Sequence, residues 1–129
     1  MAGILEGVKV VEMGHVVAVP AAAAMLADWG AQVIKIEPLT GELIRGLRRT
    51  HGVNRVIQFD NGEMNWTFEL LNRNKKGLAV DLKTGAGRDV LYRLVMHSDV
   101  KDCGKTSRDE VYNSVFCEVV LQRSQNTSL

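Results

Sequence analysis

The sequence predicts an α/β fold organised on a parallel sheet, and three observations carry that reading. "VKVVEM" (residues 8–13) and "QVIKIE" (32–37) are short β-branched runs of the kind that form buried strands. Between them "AAAAMLADW" is rich in the best helix former. Two strands joined by one helix in so short a span must run parallel, with a right-handed crossover.

The elements follow in order. Gly14 ends the first run, and Pro20 suits the first turn of a helix, where its missing N–H had no intrahelical partner. Gly30 fits the left-handed position just past that helix. The alanine face lets the helix lie close to a sheet, or lets a ligand approach its N-terminal turn. From Pro38 to Glu63 the pattern dissolves into glycines and arginines without a period, which reads as a long surface excursion. Trp66, Phe68, Leu70 and Leu71 suggest a short helix or extended segment on the core. "NRNKKG" is a turn, and "LAVDL" (78–82) a third strand. Thr84 can cap the next helix, whose Val90, Leu91, Leu94 and Val95 share one face, while Gly85 and Gly87 weaken its first turn. "SDV" leads toward a fourth strand that the following residues do not complete. Past Lys101 only "SVFCEVVLQ" has strand-like content. Residues 1–100 are therefore expected to form a partial α/β domain, and residues 101–129 a divergent tail.

At 129 residues there is room for one hydrophobic core. A net charge of +1 gives no general reason to expect nucleic acid or an anionic membrane as partner. The longest apolar stretch, Val16–Ala27, is too short to span a bilayer, contains Pro20 and follows no basic segment, so a cytoplasmic location is expected. Cys103 and Cys117 form no CxxC pair and are expected as free thiols. His15, His51 and His97 have no partner at ligand spacing, so no metal is expected. No serine sits in a GxSxG elbow.

Three features are candidates for binding chemistry. Ligands favour the carboxyl ends of parallel strands, so the N–H groups around Val17 to Ala21 are placed for a polar or anionic group. On spacing alone "HVVAVP" reads first as a plain apolar connection. Arg73, Lys75, Lys76 and Lys83 would suit a phosphate-bearing ligand, or could be solvated cations around a turn. Glu12 and Glu37 end their strands, where carboxylates in such folds often meet ribose hydroxyls.

Several ordered motifs together resemble one family. They are "LEGVKVVE", the proline-led helix, "LADWGAQVIKIEP", "NRNKKGLAVDLK" and "GRDVLYRL". From about Leu5 to Val100 the chain resembles the N-terminal region of the class III coenzyme A-transferases, the CaiB/BaiF type that includes formyl-CoA transferase and carnitine CoA-transferase. The resemblance implies a Rossmann-like domain that binds coenzyme A (CoA) or acyl-CoA as substrate, without metal. It also implies an enzyme that moves CoA from an acyl-CoA to a carboxylic acid, working as an interlocked homodimer without nucleic acid or membrane as partner. By matching position, Val17 and Ala18 fall at CoA contacts after the first strand, and Val80, Asp81, Leu82 and Lys83 at those of the third. Arg73 and Lys75 join them as cofactor-binding candidates. Where some relatives place a glutamine near the reacting carbonyl, this chain has Val17, and where some place a CoA-binding arginine, it has Pro38. The family's catalytic aspartate, which attacks the thioester to form a mixed anhydride and then an enzyme–CoA thioester, has no counterpart here. No catalytic residue is therefore assigned, and Asp102, Asp109 and Glu110 do not match its motif. The expectation is a truncated, inactive chain lacking the second domain. A non-catalytic CoA- or nucleotide-binding fragment, or a non-functional remnant, is the alternative.

Overall fold

The computed structural model describes residues 3–104 and 117–121. Its frame is a five-stranded sheet in the order β7-β2-β1-β8-β9. Strands β1 (Lys9–Glu12), β2 (Gln32–Glu37), β7 (Lys76–Ala79) and β8 (Val100–Gly104) are parallel, and β9 (Cys117–Leu121) pairs antiparallel with β8. Strand order reverses at β1: β2 and β7 lie on one side, β8 on the other. That reversal is the switch point at which open α/β sheets place ligands.

Alternation along the strands divides the core into two faces. Val10 and Val33 pack with Val100 against Ala23 and Ala27 of α1 (Ala18–Asp28). Val11 and Ile36 point the other way, toward Val90, Leu91, Leu94 and Val95 of α4 (Gly85–Met96), the face that the sequence predicts. Alanine allows α1 its close approach. Gly14 allows the turn before it, since a Cβ there would lie 2.0 Å from Val19 Cγ1. Gly30 closes the helix at φ +102, as expected of a left-handed terminus.

Several boundaries differ from the sequence reading. The third strand runs Lys76–Ala79 and stops before Val80, because Asp81 folds the chain into a turn: its Oδ1 accepts the Lys83 N–H at 3.0 Å. Gly87 does not weaken α4. Thr84 Oγ1 accepts its N–H at 3.0 Å, and a Cβ at this position would meet the Asp81 carbonyl oxygen at 2.0 Å. The fourth strand is present, since parallel pairing of Val10 with Val100 through Glu12 with Asp102 uses backbone groups whatever the side chains. The rest of the segment expected as a divergent tail, 105–116 and 122–129, and the thiols of Cys103 and Cys117 lie outside the described residues.

The segment read as a surface excursion is structured. It holds α2 (Leu43–Gly46) and two short hairpins, β3 (Arg49–Thr50) with β4 (Val53–Asn54), and β5 (Val56–Phe59) with β6 (Gly62–Asn65). Helix α3 (Trp66–Asn72) follows, and its Phe68 and Leu71 pack with Ile44. Asn65 joins these pieces. Its Oδ1 accepts the N–H groups of Thr67 and Phe68, both at 3.1 Å, capping α3. Its Nδ2 donates to the carbonyls of Ile44 at 2.6 Å and Leu47 at 2.8 Å. Asn65→Ala removes the cap and strands two carbonyls, so a loss of about 1–3 kcal/mol is expected in urea denaturation of the full chain.

Candidate functional site

A cavity of about 430 Å³ opens at the carboxyl ends of β1, β2 and β7. It is lined by Val80, Asp81, Leu82 and Lys83, by the loop Pro38–Thr40 after β2, and by Met13 and His15 after β1. The segment 80–84 is pinned from several sides. Thr84 Oγ1 donates to the Asp81 carbonyl at 2.8 Å, and Arg88 Nη1 donates to the carbonyls of Lys83 at 2.9 Å and Leu82 at 3.3 Å. Lys83 itself is exposed. Of the sequence candidates, the structure brings Val80, Asp81, Leu82 and Lys83 together at this cavity.

Val17 and Ala18 do not line it; they stand at the start of α1, the helix whose body packs on the other face of the sheet through Ala23 and Ala27. Val17 is the N-cap and supplies no side-chain acceptor, whereas α3 and α4 are capped by Asn65 and Thr84. The first N–H groups of α1 therefore have no side-chain cap, and the positive end of the helix dipole faces the switch point.

The other basic candidates have different surroundings. Lys75 is buried beneath α1, and its ammonium lies 2.7 Å from each of Glu12 Oε2, the Pro20 carbonyl and the Leu71 carbonyl. With Asn72 Oδ1 at 3.3 Å, four acceptors surround its three N–H bonds. Burial lowers its pKa, with Glu12 pulling the other way. Arg73 Nε donates to Asp28 Oδ2 at 2.9 Å, at the last residue of α1. About 15 Å of helix separates it from the first turn.

Glu12 and Glu37, read as ribose ligands from their strand-end positions, instead belong to a buried ion network. Glu12 and Lys35 are register partners on β1 and β2, facing α1, and their charges meet at 2.8 Å. Lys35 also lies 2.7 Å from Glu42 Oε2 and donates to the Gly14 carbonyl at 3.1 Å. Lys35, Glu12 and Glu42 are essentially inaccessible to solvent. Glu37 accepts two bonds from Arg45, at 2.8 and 3.1 Å, and one from the Glu42 N–H at 3.2 Å. Burial raises the Glu37 pKa, but the Arg45 hydrogen bonds and charge outweigh it and hold the carboxyl below the ordinary glutamate range. The Arg45 guanidinium also stacks over Phe68, 3.8 Å from the ring centroid.

Sequence reasoning considered His15 only as a metal ligand, took Pro38 only as the absence of an arginine contact, and passed over Leu39, Thr40, Glu42 and Arg88. "NRNKKG" signalled basic charge but not which lysine is inside. Alternation offers one signal for Lys35: it occupies an inward position, two residues after the core residue Val33. Among the described residues no group of three or more metal-ligating side chains occurs, and no helix is long and apolar enough to cross a membrane.

Comparison with known proteins agrees with this architecture. The family described as CoA-transferase family III matches residues 5–103. The chain is 43% identical over 97 residues to (R)-2-hydroxy-4-methylpentanoate CoA-transferase of Clostridioides difficile, covering 75% of this chain and 23% of that protein. It is 37% identical over 97 residues to formyl-CoA:oxalate CoA-transferase of Streptomyces avermitilis, covering 74% and 21%. The crystal structure of a CAIB/BAIF family protein from Brucella suis superposes with a TM-score of 0.68 at 32% identity, over 78% of this chain and 25% of that one. The chain thus spans under a quarter of the length of these curated relatives.

Two outcomes are expected here. Lys35→Met leaves Glu12 and Glu42 short of a buried cation and should cost about 3–5 kcal/mol in chemical denaturation. A folded-state pKa below the unfolded one makes the Glu37 contribution present above the unfolded glutamate value and lost as pH falls through the folded value. Arg45→Gln should move that acid loss to higher pH, read as the midpoint of acid unfolding followed by circular dichroism.

Proposed function

The chain belongs to CoA-transferase family III, and from that membership we propose that its described part is the coenzyme A-binding portion of an enzyme that transfers CoA from an acyl-CoA to a carboxylic acid. The observation that supports it most is the cavity formed by Val80–Lys83 at the carboxyl ends of β1, β2 and β7, beside the switch point. Such a cavity suits a long ligand with an apolar body and anionic groups. Lys83 offers an exposed cation to a phosphate, and the uncapped N–H groups at Val17 and Ala18 offer a second polar anchor.

In this reading Lys75 supports the site from within the protein through Glu12, and Arg73 pairs with Asp28 at the exposed far end of α1, rather than touching phosphate. Glu12, Glu37 and Glu42 are each held by cations, so none is assigned as the nucleophile of acyl transfer. That role, the acyl substrate and pairing with a second copy are assigned to none of the residues described here.

The test is titration of the full chain with coenzyme A, followed by amide NMR. Shifts are expected at Val17, Ala18 and residues 80–83, with affinity near millimolar, about 4 kcal/mol. Lys83→Ala should weaken binding several-fold, and dephospho-CoA should bind less well than CoA if a cation reads the 3′-phosphate. Absence of shifts at these residues at millimolar CoA would defeat the proposal.

A further inference from the structure

We propose that Glu42 is a positioning residue for the coenzyme A site, a role that rests on the binding function proposed above. Three interactions converge on this one residue, whose side chain is 1% exposed. Its Oε1 accepts the Val16 N–H at 2.9 Å, its Oε2 lies 2.7 Å from the Lys35 ammonium, and its own N–H donates to Glu37 Oε2 at 3.2 Å. Glu42 thereby ties the first turn, Gly14–Val17, to the loop after β2 whose Pro38–Thr40 line the cavity.

The conformation held by this tie is one the chain would otherwise leave. Val16 has φ +67, in the left-handed region that β-branched residues rarely occupy and that persists only where the surroundings over-determine it. Packing does not impose it, since Val16 is 46% exposed. Val17, the next residue, is the N-cap of α1, so the direction of its N–H and that of Ala18 follows from the left-handed step at Val16. Release of Val16 to its preferred extended region would swing both groups away from the switch point.

The side chain has to be glutamate. Aspartate keeps the charge beside Lys35 but is one methylene short of reaching both Lys35 and the Val16 N–H. Glutamine keeps the length but turns an NH₂ donor toward one of two donors. The remaining members of the network give Lys35 a second carboxylate, Glu12, so it stays paired when Glu42 withdraws.

The test compares the full chain with Glu42→Asp, Val16→Gly and the double variant. Glu42→Asp should lose hydrogen-exchange protection at the Val16 amide while Val10 and Val33 in the sheet keep theirs. Its CoA affinity should fall about tenfold, as for loss of one hydrogen bond to a charged group. Adding Val16→Gly should restore most of that affinity, because glycine adopts positive φ without penalty. A purely structural role, in which a weakened ion network loosens the whole fold, predicts no such rescue. Unchanged affinity in Glu42→Asp, or a Val16 amide that stays protected, overturns the proposal. If Glu42→Asp fails to fold, folding of the double variant supports it and failure of both overturns it. If the unsubstituted chain shows no CoA-induced shift, the binding reading fails by itself. The ligand-free Val16 amide then decides the role of Glu42, loss of protection supporting it and retention overturning it.

Discussion

The structure depends on a lysine inside the protein. Lys35 points into the α1 side of the sheet, where an unpaired ammonium would cost several kcal/mol. Its pairing fixes the geometry around it. Glu12 meets it only if β1 and β2 hold the register that opposes these two residues. Glu42 meets it only if the chain doubles back after β2, which it does through a turn with Gly41 at φ +79 and a 2.8 Å bond from the Gly41 N–H to the Pro38 carbonyl. A slip of one residue would turn Lys35 to the α4 face, against Val11 and Ile36, with no acid beside it.

From that centre the constraint spreads to each element near the switch point. Glu12 uses its second oxygen for Lys75, which in turn holds the carbonyls of Pro20 in α1 and Leu71 in α3. Glu37 gathers Arg45, and Arg45 stacks on Phe68. Glu12 and Glu42 balance Lys35 and Lys75, and Glu37 balances Arg45, so the ensemble is electrically neutral. Mutual pairing is what allows Glu12, Glu42, Lys35 and Lys75 to be buried together, with Arg45 at the exposed margin. An arrangement of this kind contributes specificity more than net stability: it admits one loop geometry and penalises the others.

The proposed binding surface is the outer layer of this arrangement. The charges that a phosphate-bearing ligand could meet are kept outside the network, at Lys83, on a segment clamped by Thr84 and Arg88. The first turn of α1 is left without a side-chain cap while the other long helix, α4, has one. A rigid sheet edge with free polar groups at its rim is the general design of ligand sites on open α/β sheets.

The sequence by itself determined the strands β1 and β2, helices α1 and α4, the parallel crossover, the Thr84 cap and the Gly30 terminus. Each of these rests on periodicity or on one residue's backbone preference, which are local properties. Its ordered motifs also carried the family. What it did not show was which charges are inside. Lys75 and Lys83 are both lysines beside a strand, yet one is buried against Glu12 and the other lines the cavity. Glu12 and Glu37 end strands as ribose-binding carboxylates do, but their partners are cations of the same chain. The two hairpins and α2 were equally hidden, because segments of two to four residues are too short to show a period. Those features were decided by tertiary structure. The pairs that create them lie 23 and 63 residues apart along the chain, and the fate of a charge depends on what folding brings beside it.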